Sequence, residues 1–285
     1  SFIPGVSLFK GDEHSFIQYI YVTLSKQNEL VTKTGYIRYH LDEFNYQHKP
    51  FLVQIGDNTF TESFVSIQLK DEQVTIQGKL KLNNFQDIKR TVFSPSIMGG
   101  FAYIPKMECY HGVISMNHTL KGFLNINNQK IDFTMGKGYI EKDWGTSFPK
   151  EYTWIQSNHF KNSSTSLFFS VAHIPFHVIT FKGFICALVV KDKEYRFATY
   201  NNSKISIKDQ KSDTITIFLE NKEAELTIKG TITTAGELIA PKEGIMTKVI
   251  KEGLSGEVEI FLKDKKNQTV YQDFSKLAGI EIVEP

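Results

Sequence analysis

The sequence predicts an all-β protein of antiparallel sandwiches or closed barrels with very little helix. Three observations carry that prediction. Phe (23) and Tyr (12) are abundant in the 285 residues while Ala is scarce, a bias toward side chains that fit a pleated, half-buried surface. Apolar and polar residues alternate with period two along much of the chain. Turn-forming clusters punctuate the alternating runs.

In chain order, Val74, Ile76, Leu80 and Leu82 share one strand face, with Thr75, Gln77, Lys79 and Lys81 on the other. Ala224, Leu226 and Ile228 alternate in the same way with Glu225, Thr227 and Lys229. Val258, Ile260 and Leu262 oppose Glu257, Glu259 and Phe261. Each run reads as a strand with one face inward. Gly56-Asp57-Asn58, Asn127-Asn128-Gln129 and Asn201-Asn202-Ser203 read as turns between such runs. About fifteen to eighteen strands are expected on these signals. One short helical turn is expected near Phe85–Arg90, and Gly99-Gly100-Phe101 reads as a bulge or bend. Evenly spaced strands and a division near Pro149 give two consecutive β modules, 1–149 and 150–285, each of about 140 residues.

Composition narrows the function classes. Apolar (41%) and charged (22%) contents are those of a soluble globular chain. With 33 basic against 31 acidic residues and no basic stripe, nothing attracts nucleic acid. Cys109 and Cys186 read as free thiols of a reducing, cytoplasmic compartment. No apolar run approaches the ~20 residues of a membrane-spanning helix. There is no signal peptide, and the chain opens on Ser1 rather than Met. Nothing in the pattern fixes an oligomeric state.

The chemistry concentrates in Gly136 to Phe160, GKGYIEKDWGTSFPKEYTWIQSNHF. Two short strand-like runs here carry carboxylates, tryptophans, amides and a histidine, the composition of a half-buried pocket wall. Alternation points Tyr139, Glu141 and Asp143 one way, and Ile140, Lys142 and Trp144 the other. In the next run Tyr152, Trp154, Gln156 and Asn158 share a face. Glu141 and Asp143 are candidate general acids if apolar neighbours hold a proton on them. Gln156 and Asn158 are candidates to orient a hydroxyl or carbonyl; the plain alternative is that Asp143 and Asn158 satisfy buried backbone. His14 and Gln18 share one strand face with Phe16 and form a second candidate cluster. Metal binding is not expected: His173 and His177 flank Pro175, and in an extended chain they stand about 13 Å apart. Gly136-Lys137-Gly138 is followed by no helix and is not a phosphate loop. No cofactor is expected.

Lys137 to Pro149, KGYIEKDWGTSFP, followed by Trp154 to Phe160, WIQSNHF, resembles the signature of the tocopherol cyclase family. Pro4-Gly5-Val6-Ser7 with His14 to Gln18, Ala240-Pro241 through Met246, and Ala278-Gly279-Ile280-Glu281 fit the same family, so the likeness runs from end to end. The resemblance implies two lipocalin-like β-barrel modules, related to carotenoid hydratase-like proteins and fungal Diels–Alderases. It implies the cofactor-free cyclisation of a prenylated hydroquinone, in which an alkene is protonated and a phenolic oxygen attacks. The family's Glu-Gly-Trp-Tyr/Phe segment upstream of the first strand is absent, which predicts a first module short of one strand. Richness in Lys, Asn and Ile fits a low-GC bacterium, where tocopherol synthesis is not expected, so the implied fold transfers better than the implied substrate.

The expectation is therefore a protein that holds a hydrophobic or amphipathic small molecule and isomerises or cyclises it by acid catalysis. Asp143 is the expected acid and Glu141 its substitute. His14, Gln18, Gln156 and Asn158 are expected at the polar head, with Trp144, Tyr152 and Trp154 against the apolar part. The alternatives are a lipocalin-like carrier without chemistry and a structural two-barrel protein.

Overall fold

The alternating runs become twenty-one strands, every pairing antiparallel, in a computed structural model that describes residues 1–176 and 179–284. A three-stranded meander opens the chain: β1 (Phe2–Ser7), β2 (His14–Leu24) and β3 (Leu30–Tyr39). An eight-stranded sheet follows, from β4 (Phe44–His48), β5 (Phe51–Ile55), β6 (Asn58–Thr61) and β7 (Phe64–Lys70) to β8 (Thr75–Gln86), β9 (Cys109–Ile126), β10 (Gln129–Asp132) and β11 (Lys137–Gly145). Sequence neighbours are sheet neighbours from β4 to β10, and β11 returns to pair with the first half of β9.

The ten remaining strands form one sheet. They are β12 (Tyr152–Ser157), β13 (Ser166–Phe176), β14 (Ile179–Val190), β15 (Lys193–Ala198) and β16 (Lys204–Lys208), then β17 (Thr214–Glu220), β18 (Ala224–Thr231), β19 (Gly236–Lys242), β20 (Ile245–Asp264) and β21 (Thr269–Val283). The sheet order is β15-β14-β13-β12-β21-β20-β18-β17-β16, with β19 on the first half of β20. The last strand thus lies beside the first of this group.

Period two decides the cores. Val258, Ile260 and Leu262, all fully buried, meet Leu226, Ile228 and Phe169 inside the ten-stranded sheet. Ile17 and Tyr19 of β2 meet Ile55, Ile67 and Ile76 of the eight-stranded sheet, so the opening meander shares that sheet's core. Each such side chain contributes about 1.5–3 kcal/mol when removed from water. Two smaller clusters join the two systems. Ile88, Ile97, Met98 and Met116 pack on Phe168, Ala187 and Val189, and Ile20 packs on Leu238, Ala240 and Ile250.

Some local expectations change. No helix forms at Phe85–Arg90: Phe85 and Gln86 end β8, and residues 87–90 have no regular structure. Tertiary contacts override local preference there, since Ile88 is buried in the junction cluster and the Lys89 N–H donates to Glu194 Oε2 at 2.6 Å. Gly99-Gly100-Phe101 opens a 3-10 turn, Gly99–Tyr103, instead of a bulge. Gly99 has φ +59°, and a Cβ there would press to 2.7 Å of the Tyr200 ring. Part of the excess of strands over expectation is β6 and β10, which span only four residues each, too few for alternation to show. Cys109 and Cys186 are free. His177 lies outside the described residues.

Candidate functional site

The site is assembled where β9 and β11 face β12, β13 and β21. Antiparallel register sets Asp143 directly opposite His111, so the two side chains share a face. His111 Nδ1 lies 2.5 Å from Asp143 Oδ1. Glu141 and Tyr139 point the same way despite register shifts on either side of Ile140. Glu141 Oε2 accepts from the Tyr139 hydroxyl at 2.6 Å and from Trp154 Nε1 at 3.1 Å. The same oxygen lies 3.3 Å from His111 Nε2, off the line of a hydrogen bond, which leaves that buried nitrogen without a well-directed partner. The His111 ring stacks on Phe168 of β13, 4.9 Å between centroids.

Trp154 links this array to a second pair. On β12 it stands opposite Glu281 of β21, and the Tyr152 hydroxyl, one period away, donates to Glu281 Oε2 at 2.6 Å. Both groups line a cavity of about 150 Å³ whose wall includes Met98, Phe101, Phe148, Phe181, His111, Glu141 and Asp143. The wall joins apolar and aromatic side chains to four carboxyl groups, Glu108, Glu141, Asp143 and Glu281, the His111 imidazole and the Tyr152 and Tyr200 phenols.

Burial and charge fix the protons. Burial alone would lower the pKa of His111; the charges of the Asp143 and Glu141 carboxylates, with the Asp143 hydrogen bond, outweigh it and raise it from 6.5 to about 10. His111 is therefore an imidazolium at neutral pH, held between two carboxylates. Glu281 retains some surface toward the cavity but is otherwise enclosed by protein. Burial, and then the neighbouring Glu252 carboxylate, push its pKa well above the ordinary carboxyl value, which the Tyr152 hydrogen bond only partly offsets. Glu252 itself, buried in β20, is raised by burial to about 7. The phenols of Tyr139 and Tyr152 are raised by burial and then by Glu141 and Glu281 respectively, so both stay protonated as donors.

Four of the residues singled out in the sequence, Glu141, Asp143, Tyr152 and Trp154, line the cavity together. The other five lie off its wall. Trp144, 45% exposed, points to the opposite face of β11, where it stacks on Tyr110 at 5.2 Å. His14 bonds Tyr36 Oη and the Asp12 carbonyl, each at 2.7 Å. Gln18 clamps both backbone groups of Ile239 at 2.7 Å and so ties β2 to β19. Asn158 donates to the Gly138 carbonyl at 2.8 Å, the backbone-satisfying role weighed from sequence. Gln156 Nε2 is buried without a hydrogen-bond partner among the described residues. Gly136-Lys137-Gly138 owes its second glycine to packing, because a Cβ at Gly138 would fall 2.1 Å from His118 Nε2.

His111 and Glu281 are the functional candidates that residue patterns did not single out. The register of β9 on β11 exposes the first, and no local motif does. Glu281 closes the Ala278-Gly279-Ile280-Glu281 segment, where the sequence pattern alone points to no role for it. Among the described residues no group of three or more His, Cys, Asp or Glu is arranged to hold a metal ion.

Fold and site define a β-barrel-type protein of the lipocalin-like class, with a cavity at the seam of its two sheet systems. The chain belongs to the tocopherol cyclase-like family, whose model matches residues 81–283. The tocopherol cyclase of Zea mays chloroplasts is 29% identical over 69 residues, 24% of this chain and 15% of that enzyme. The probable chloroplast tocopherol cyclase of Oryza sativa subsp. japonica is 28% identical over the same length and with the same coverage. The alignment thus spans well under a fifth of those plant enzymes. Kievitone hydratase from Nectria haematococca has a similar fold, with TM-score 0.54 at 10% identity over 99% of this chain and 88% of that one. So has CghA, solved with Sch210972, with TM-score 0.54 at 6% identity over 97% and 82%. The two-module, lipocalin-like β architecture expected from the sequence is the fold of this chain.

Proposed function

We propose that this protein binds an elongated, lipophilic or prenylated molecule in the seam cavity and isomerises or cyclises it by acid catalysis. The observation that carries the reading is one cavity whose wall joins apolar and aromatic side chains to the Glu281 carboxyl, the Tyr152 phenol and the His111 imidazole. Glu281 is the proton donor. Its carboxyl is held toward the protonated acid, because burial and then the neighbouring carboxylates disfavour an anion there. Protonation of a ligand alkene by Glu281 leaves a cation on the ligand and a carboxylate on Glu281. Glu141 and Asp143, only partly neutralised by His111, and the Trp154 ring stabilise that cation. A ligand hydroxyl then closes on the cation and returns a proton to Glu281, so the step is cofactor-free and balanced. Asp143, the acid expected from sequence, enters this scheme as a carboxylate that holds His111 charged. Tyr152 positions Glu281 through its 2.6 Å hydrogen bond.

The module boundary belongs between residues 149 and 150, where β11 of one sheet gives way to β12 of the next. The resemblance to the tocopherol cyclase family makes a prenylated hydroquinone the first substrate to try. Glu281→Gln should abolish turnover of such a substrate while leaving its affinity within a few-fold. Undiminished turnover removes Glu281 from the mechanism. Ligand binding without turnover by the unmodified protein, over a panel of such substrates, supports the carrier reading instead.

A further inference from the structure

Residues 87–108 run from β8 to β9 and face two surroundings. Met98, Phe101 and Met107 line the cavity, and Ile88 and Ile97 are buried in the seam. Val92 and Phe93 instead occupy the tip of a tight turn. Thr91 and Ser94 exchange backbone hydrogen bonds at 3.0 and 3.1 Å across it, and Tyr103 Oη donates to the Val92 carbonyl at 2.7 Å. The backbone of the turn is thus closed without help from the Val92 and Phe93 side chains. Those side chains are 79% and 88% exposed, and Phe93 is the most exposed large apolar side chain among the described residues. Tyr103 beside them is 63% exposed.

Such tips ordinarily carry Gly, Asn, Asp, Ser or Pro, and nothing in the folding of this chain calls for Val and Phe here. The charges within residues 88–107 are all positive. Lys89, Arg90 and Lys106 are exposed, and none of them forms an ion pair among the described residues. Asp87 and Glu108 bracket the segment from outside. Exposed apolar side chains with an aromatic hydroxyl beside them and cations around them match the interface of an anionic bilayer. A second copy of the same tip would meet like charge.

We infer that the Val92–Phe93 turn is a membrane-contact tip that enters the interface of an anionic bilayer, with Lys89, Arg90 and Lys106 against the headgroups. Because the same segment supplies part of the cavity wall, docking places that wall where an apolar ligand is dissolved. This second statement rests on the lipophilic-ligand reading above; the contact itself does not.

The test is co-sedimentation of the full chain with phosphatidylcholine vesicles, with and without phosphatidylserine. Binding should require phosphatidylserine and weaken with salt. The Val92→Ser/Phe93→Ser double variant should lose about tenfold or more in partitioning with its Tm unchanged, since both side chains are already exposed. The Lys89→Gln/Arg90→Gln variant should lose several-fold and show a flatter salt dependence. Absence of binding, or equal binding by the Val92/Phe93 variant, overturns the inference. So does concentration-dependent self-association that this variant abolishes in the absence of vesicle binding. Uptake of a detergent-dispersed prenylated hydroquinone, measured on the same proteins, separates the two readings. Vesicle binding without uptake by any of them leaves the tip standing and removes the lipophilic-ligand reading.

Discussion

Asp143→Asn removes one of the two carboxylates that keep His111 charged, and the change is measurable as a difference in how stability varies with pH. The rise of the His111 pKa from 6.5 to about 10 corresponds to at most about 5 kcal/mol of differential interaction. Glu141 shares that interaction, and the Asp143 side chain is 26% exposed and so partly screened, which brings the expected cost of the substitution to about 2 kcal/mol near neutral pH. The sign follows from linkage. The folded-state pKa lies above the unfolded one, so the stabilisation is complete below about pH 6.5 and is lost as pH rises toward 10, by up to about 1.4 kcal/mol per unit. Glu252, raised to about 7, acts in the same sense but has finished by about pH 8. Glu281 is present in both proteins and largely cancels. Urea unfolding of wild type and Asp143→Asn between about pH 6 and 9.5 should give curves that converge as pH rises. Parallel curves across that window would refute the assignment of His111 as an imidazolium held by Asp143.

Other expectations follow from the same geometry. Trp154→Phe keeps an aromatic ring on the cavity wall but leaves Glu141 without its indole donor, and should cost about 1 kcal/mol in urea unfolding. Glu281→Gln removes a buried group that resists ionisation, so the variant should gain stability over wild type above neutral pH while losing turnover. Ala172→Phe places a ring in the cavity, which Ala172 lines; it should block ligand binding, read by direct titration, at a cost of about 1–3 kcal/mol. Burial pushes both thiols up, Cys109 on the cavity wall and Cys186 in the core. Native protein at mildly alkaline pH should therefore react with a disulfide reagent far more slowly than unfolded protein.

The β architecture was legible because a strand's period of two survives in the sequence wherever one face is buried, as at Val258, Ile260 and Leu262. The chemistry was legible only in part. Glu141 and Asp143 share a face with Tyr139 by alternation alone, and Tyr152 and Trp154 follow by the same rule. The partners of these residues come from strands distant in sequence. His111 is 32 residues from Asp143 and Glu281 is 129 from Tyr152, and only pairing register brings them together. Alternation assigns a face but not what that face meets. For that reason it grouped Gln156 with Trp154, although Gln156 lies off the cavity wall. His14 and Gln18 drew notice as polar residues on an apolar strand. They are buried staples, and their hydrogen bonds to Tyr36 and Ile239 run to partners that no local pattern reveals.

The chain has two tryptophans, of which Trp154 lines the cavity and Trp144 lies on the opposite face of its strand. Fluorescence of the Trp144→Phe variant, titrated with a prenylated hydroquinone, therefore reports on the cavity most directly. A lipophilic ligand seated beside Glu141 and Glu281 should produce a saturable, one-to-one change in Trp154 emission that Ala172→Phe abolishes. A change that persists with Ala172→Phe, or one that appears only with Trp154→Phe and so reports on Trp144, would contradict the assignment of the cavity as the binding site.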